Sequence, residues 1–116
     1  LREPYEGDIT LFEKAAWQEA TVLPEVPEAL MSSSFGHIFS GGYAAGYYGY
    51  KWAEVLDADA FSLFKQQGIF DRQTAESFRT NILSRGGTED PAELYRRFRG
   101  QDPTIDALLI KNGIQR

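Results

Sequence analysis

The sequence predicts an all-α fold of about five helices, and three observations carry that expectation. No alternating run of β-branched residues occurs among the 116 residues, so no strand of useful length is indicated. Apolar residues recur at three- and four-residue spacing in several stretches, as on one face of a helix. Asp and Gly stand at the ends of those stretches, where N-caps and C-terminal stops belong.

From Asp8, "DITLFEKAAWQEATVL" places Leu11, Phe12, Ala15, Ala16 and Glu19 at helical spacing, with Asp8 or Thr10 as cap and an end before Pro24. The next stretch, "PEVPEALMSSS", holds two prolines and three serines, which favour turns, and reads as an irregular crossing. "GHIFSGG" reads as a mobile loop, because Gly41 and Gly42 favour unusual φ and cost conformational entropy on folding. A long helix follows from about Tyr43 to Gln67, bent near Asp57 and stopped by Gly68. "DRQTAESFRTNILSRGG" is a helix capped by Asp71, with Ala75, Phe78, Ile82 and Leu83 on its apolar face and Gly86 or Gly87 as stop. Two final helices share one grammar of Asp cap, Pro at the first turn and Gly past the end: Asp90, Pro91 and Gly100, then Asp102, Pro103 and Gly113.

Hydrophobic residues make up 42% and aromatics 14% of the chain, which is too rich for a disordered polymer. No apolar run approaches the roughly 18 residues of a membrane span. The net charge of −5 repels phosphate backbones and anionic lipid surfaces, arguing against nucleic acid and membrane as partners. Cysteine is absent, which removes disulfides and thiolate metal sites. The opening "LREPYEGD" has neither an initiator Met nor a signal segment and resembles the interior of a longer gene product.

The densest chemistry lies in "FGHIFSGGYAAGYYGYKW", Phe35 to Trp52, with five glycines, four tyrosines and the chain's single histidine, His37. Wound as a helix from Tyr43, the stretch places Tyr47 about 40° to one side of Tyr43 and Tyr50 about 20° to the other. Tyr48 and Trp52 fall opposite, positioned to anchor the helix in a core, while Gly46 and Gly49 leave room beside the phenols. Such a stripe either packs into the protein or lines a cleft, and spacing alone does not choose. His37 is likewise either a structural imidazole or a donor to a substrate carbonyl or oxyanion. The glycines match no phosphate-binding pattern.

Complete catalytic machinery is missing. With one His and no Cys, the chain contains neither H-E-x-x-H nor a thiol nucleophile, and it has no G-x-S-x-G elbow.

The stretch from Phe35 to Phe61, "FGHIFSGGYAAGYYGYKWAEVLDADAF", resembles the C-terminal part of the zinc metallopeptidase family that contains thimet oligopeptidase, oligopeptidase A and bacterial peptidyl-dipeptidase. "ILSRGGTEDPAELYRRFRG" and "PTIDALLIKNG" resemble the same family's C-terminal end, so the likeness runs from Asp8 to Gly113. "HIFSGGYAAGYY" and "LSRGGTEDP" lean slightly toward the bacterial peptidyl-dipeptidase branch over oligopeptidase A.

The resemblance implies that residues 1–116 are the C-terminal part of a larger helical catalytic domain, with zinc and its H-E-x-x-H ligands upstream of this segment. It implies catalytic roles for Tyr43 and Tyr50, as donors to the tetrahedral intermediate. It implies substrate contacts for His37 and Tyr47, and with them a loop closing on Gly41 and Gly42. A phenol, with an ordinary pKa of about 10, donates at neutral pH without titrating. The function so implied is hydrolysis of short peptides, with release of C-terminal dipeptides, by a cytoplasmic enzyme whose isolated C-terminal segment is inactive and binds no zinc. Outside its parent, the segment is expected to expose apolar surface and self-associate. The alternative is a non-catalytic helical module that uses the tyrosines to bind peptides or proteins.

Overall fold

The computed structural model describes residues 4–114. They divide between Tyr47 and Tyr48 into two compact units. Among the described residues every regular element is helical.

In the first unit, α1 spans Ile9–Trp17. The Asp8 carboxylate accepts from the backbone N–H of Thr10 at 2.8 Å, as the sequence predicts. The helix stops well before Pro24, and the chain leaves it through a turn in which the Trp17 carbonyl accepts from the Ala20 N–H at 2.8 Å and from the N–H and hydroxyl of Thr21, each at 3.0 Å. The expected irregular crossing contains a short helix, α2 (Met31–Ser34). Its N-terminus is held from afar: the Glu13 carboxylate accepts from the N–H of Met31 and, at 2.9 Å, of Ser32. Hydrogen bonding from Ser32 keeps that carboxyl below its ordinary pKa. The expected loop over "GHIFSGG" also holds a helical turn, α3 (Gly36–Phe39), closed by the Ser40 N–H on the Gly36 carbonyl at 2.8 Å. Neither Gly41 nor Gly42 has a positive φ, contrary to the sequence expectation. No residue from 4 to 47 is buried.

In the second unit, α4 spans Gly49–Gln67. It begins six residues later than the sequence predicts: Gly46 lies in the stretch left out of the helix and Gly49 at its edge, and a glycine in a helix costs about 1 kcal/mol against alanine. The helix runs through Asp57 without interruption and ends at Gly68, whose φ is 118°. Asp71 caps α5 (Arg72–Phe78), accepting from the Thr74 N–H at 2.7 Å. The chain then widens into a π-turn over Arg79–Leu83. There the Asn81 side-chain amide donates to the Ser77 carbonyl at 3.0 Å, competing for the oxygen the α-helical ladder would use. Leu83 is thereby turned outward, 67% exposed, rather than joining the predicted apolar face. A 3₁₀ turn over Gly86–Thr88 starts on a glycine with φ 44°.

Helix α6 (Pro91–Arg99) follows its predicted grammar, with the Asp90 carboxylate accepting from Ala92 at 2.9 Å and Gly100 left-handed at φ 80°. Helix α7 (Asp106–Lys111) does not: Asp102 and Pro103 lie outside it, and the capping position is Ile105. The Asp102 carboxylate is instead engaged by Arg96 Nε at 2.7 Å. The core of this unit gathers Ala60 of α4 and Tyr95 and Phe98 of α6, with Leu63, Phe64, Phe78 and Ile82 packed around them. Phe78 meets Phe98 edge-on at 5.1 Å and Phe64 at 5.9 Å, geometries that aromatic pairs favour.

Candidate functional site

The phenol stripe expected on a single helix is split. Tyr43 and Tyr47 precede α4 in a pair of turns closed by the Tyr47 N–H on the Tyr43 carbonyl at 3.0 Å. Tyr50 lies in the first turn of α4, in the second unit. The structure brings together His37, Tyr43 and Tyr47. The His37 ring stands edge-on to Tyr43 at 4.7 Å and to Tyr47 at 5.6 Å, both at 79°. Phe35, a residue not singled out from the sequence, braces Tyr47 edge-on at 4.9 Å. Helix α3 supplies His37, and the short return through Gly41 and Gly42 brings Tyr43 back against it. A Cβ on Gly41 would stand 3.0 Å from the His37 carbonyl oxygen, whereas one on Gly42 would meet nothing within 4 Å.

His37 and Tyr43 are exposed and Tyr47 is half-buried. Tyr43 is 44% exposed and Tyr50 45%, so neither is part of a core among the described residues. Tyr48 and Trp52, expected as anchors, are 70% and 58% exposed; the first turns of α4 extend past the buried stretch, which starts at Val55. An imidazole and phenols so arranged can donate hydrogen bonds to a carbonyl or a developing oxyanion. A hollow of about 600 Å³ in the first unit, bordered by Glu13, Trp17 and Met31, includes none of them.

The sequence reading also missed a buried polar cluster in the second unit. Asp59 is 2% exposed. Its carboxylate accepts from the Tyr95 hydroxyl at 2.6 Å and from Arg99 Nε at 3.1 Å. Burial, reinforced by the bond to Asp59, pushes the Tyr95 phenol well above its ordinary pKa. One signal was available: Asp59 shares a helical face with Val55 and Leu63, four residues to either side, where a carboxylate needs an internal partner.

The described residues do not fit the zinc that the resemblance implies. The chain has one His and no Cys, and among the described residues no three His, Cys, Asp or Glu side chains are grouped to hold a metal ion.

Comparison with known proteins agrees with the family read from the glycine and tyrosine stretch. Oligopeptidase A of Escherichia coli (strain K12) is 55% identical over 94 residues, covering 81% of this chain and 14% of the relative. Oligopeptidase A of Salmonella typhimurium is 52% identical over 106 residues, covering 91% of this chain and 15% of the relative. Dipeptidyl carboxypeptidase of Escherichia coli is 44% identical over 108 residues, covering 92% and 16%. The chain thus spans about 15% of the length of the curated relatives it matches. The model of Peptidase family M3 matches residues 3–114, and the chain belongs to that family.

Proposed function

We propose that residues 1–116 form the C-terminal, substrate-facing part of the catalytic domain of a zinc metallopeptidase that hydrolyses short peptides. The observation that carries this reading is the cluster of exposed His37 and Tyr43 with half-buried Tyr47 in a chain of Peptidase family M3. Tyr43 and Tyr50 donate hydrogen bonds to the oxyanion that forms as the peptide carbonyl is attacked. His37 and Tyr47 contact the peptide, and Gly41 and Gly42 let the backbone approach it. Zinc supplies the Lewis acid and comes with ligands outside these 116 residues. The segment alone is therefore inactive, and its exposed apolar side chains favour self-association away from the rest of the parent protein. The protein works in the cytoplasm, a placement supported by its similarity to a probable cytosolic oligopeptidase A of Arabidopsis thaliana, 50% identical over 97 residues.

Two modes of cleavage are supported by different relatives. The match to a dipeptidyl carboxypeptidase supports release of C-terminal dipeptides, whereas the higher identity to oligopeptidase A supports a less restricted peptidase. The full-length protein assayed on a free-acid peptide and on its C-terminally amidated copy, with products read by mass, separates them. Dipeptides lost only from the free acid indicate the first mode; cleavage of both peptides indicates the second. In either case a chelator stops turnover and added zinc restores it. Failure to cleave either peptide overturns the proposal.

A further inference from the structure

Asp59, Ser62 and Arg99 form a closed polar ring between α4 and α6, and Tyr95 joins it through the Asp59 carboxylate. Besides the two bonds to the Asp59 carboxylate, Arg99 Nη2 donates to Ser62 Oγ at 3.3 Å, and Ser62 Oγ donates to the Asp59 backbone carbonyl at 2.7 Å. The Asp59 side chain is 2% exposed and that of Arg99 11%. A buried ion pair of this kind is a poor device for stability, since apolar residues of similar volume often serve as well or better. What it supplies is direction. Apolar contact is non-directional; the α4 side chains beside Asp59 are the small Ala58 and Ala60, and the larger Leu63 and Phe64 pack on the core one turn further along the helix. Two hydrogen bonds onto one carboxylate restrain rotation of the helix strongly.

Tyr50 lies nine residues before Asp59 on the same uninterrupted helix. At 100° per residue this places Tyr50 about half a turn away, on the opposite face, and about 13.5 Å along the axis. Holding Asp59 against α6 therefore holds Tyr50 on the outer face of α4, in keeping with its 45% exposure. We propose that Asp59, Tyr95 and Arg99 are positioning residues for Tyr50, setting the rotation of α4 so that this phenol is presented to the peptide. The proposal rests on the reading of Tyr50 given above.

A double-mutant cycle in the full-length protein tests it. Asp59→Asn keeps the shape and removes the charge; Tyr95→Phe removes only the hydroxyl that reaches Asp59. Each is expected to lower kcat on the order of 10-fold with little change in KM, because a displaced donor is felt mainly in the transition state. In a Tyr50→Phe background, where there is no hydroxyl left to place, the same substitutions are expected to change kcat less than about twofold. A merely structural role lowers the folded fraction and cuts kcat by the same factor in both backgrounds, which overturns the proposal. So does wild-type kcat in both single variants. If Asp59→Asn does not fold, Tyr95→Phe carries the cycle alone. Wild-type turnover in Tyr50→Phe itself overturns the role of Tyr50, a result distinct from failure of the positioning.

Discussion

Gly41 and Gly42 are adjacent in sequence and unequal in the fold. The sequence treats them alike, as a pair favouring unusual φ, yet neither has a positive φ. Only Gly41 is crowded, with the His37 carbonyl oxygen 3.0 Å from where a Cβ would stand and Gly42 facing open space. A methyl group at Gly41 presses on backbone, which cannot rotate away as the end of a side chain can. Gly41→Ala therefore displaces the turn that carries His37, and in the full-length protein kcat/KM is expected to fall about 10-fold or more, since small misplacements at a reacting site are costly. Gly42→Ala is expected to stay within about twofold. Equal kcat/KM for the two variants contradicts this. Local spacing could not separate them, because the close approach depends on the path of the chain through α3.

Among the elements, the helix ends that depend on local chemistry were legible. Asp8, Asp71 and Asp90 cap as the sequence predicts, and Gly68, Gly86, Gly100 and Gly113 adopt the positive φ expected after a helix or turn. Two of the errors arose where a group outside the local stretch intervened. Glu13 secures α2 from eighteen residues away, and Arg96 takes the carboxylate of Asp102. The difference between Asp90 and Asp102 is measurable by denaturant unfolding of the second unit. Asp90→Ala loses a cap serving two N–H groups and is expected to lower stability by about 1 kcal/mol. Asp102→Ala loses an ion pair whose carboxylate is 70% exposed and is expected to cost less, as exposed pairs do. The reverse order contradicts the capping assignment.

At the scale of the whole molecule, helical periodicity and the absence of strand patterning made the fold class readable. The division into two units was not. All buried residues of the described chain lie after Tyr47, and that contrast emerges only from long-range packing. The Asp59 cluster escaped for the same reason: its partners stand 36 and 40 residues away, where sequence shows an acidic residue on an apolar face and nothing of what satisfies it. The candidate site was half legible. His37, Tyr43 and Tyr47 do cluster, but through a glycine-rich turn rather than a continuous helix, and Phe35 drew no attention because a phenylalanine before glycine has no distinguishing pattern.

The central claim is that Tyr43 and Tyr50 act on the transition state of peptide hydrolysis. It is tested most directly by steady-state kinetics of the full-length protein carrying Tyr43→Phe or Tyr50→Phe, on a short peptide, with zinc content verified equal to wild type. Loss of an oxyanion donor predicts a fall in kcat on the order of 10²- to 10³-fold with KM little changed. Wild-type kcat in both variants would contradict the account.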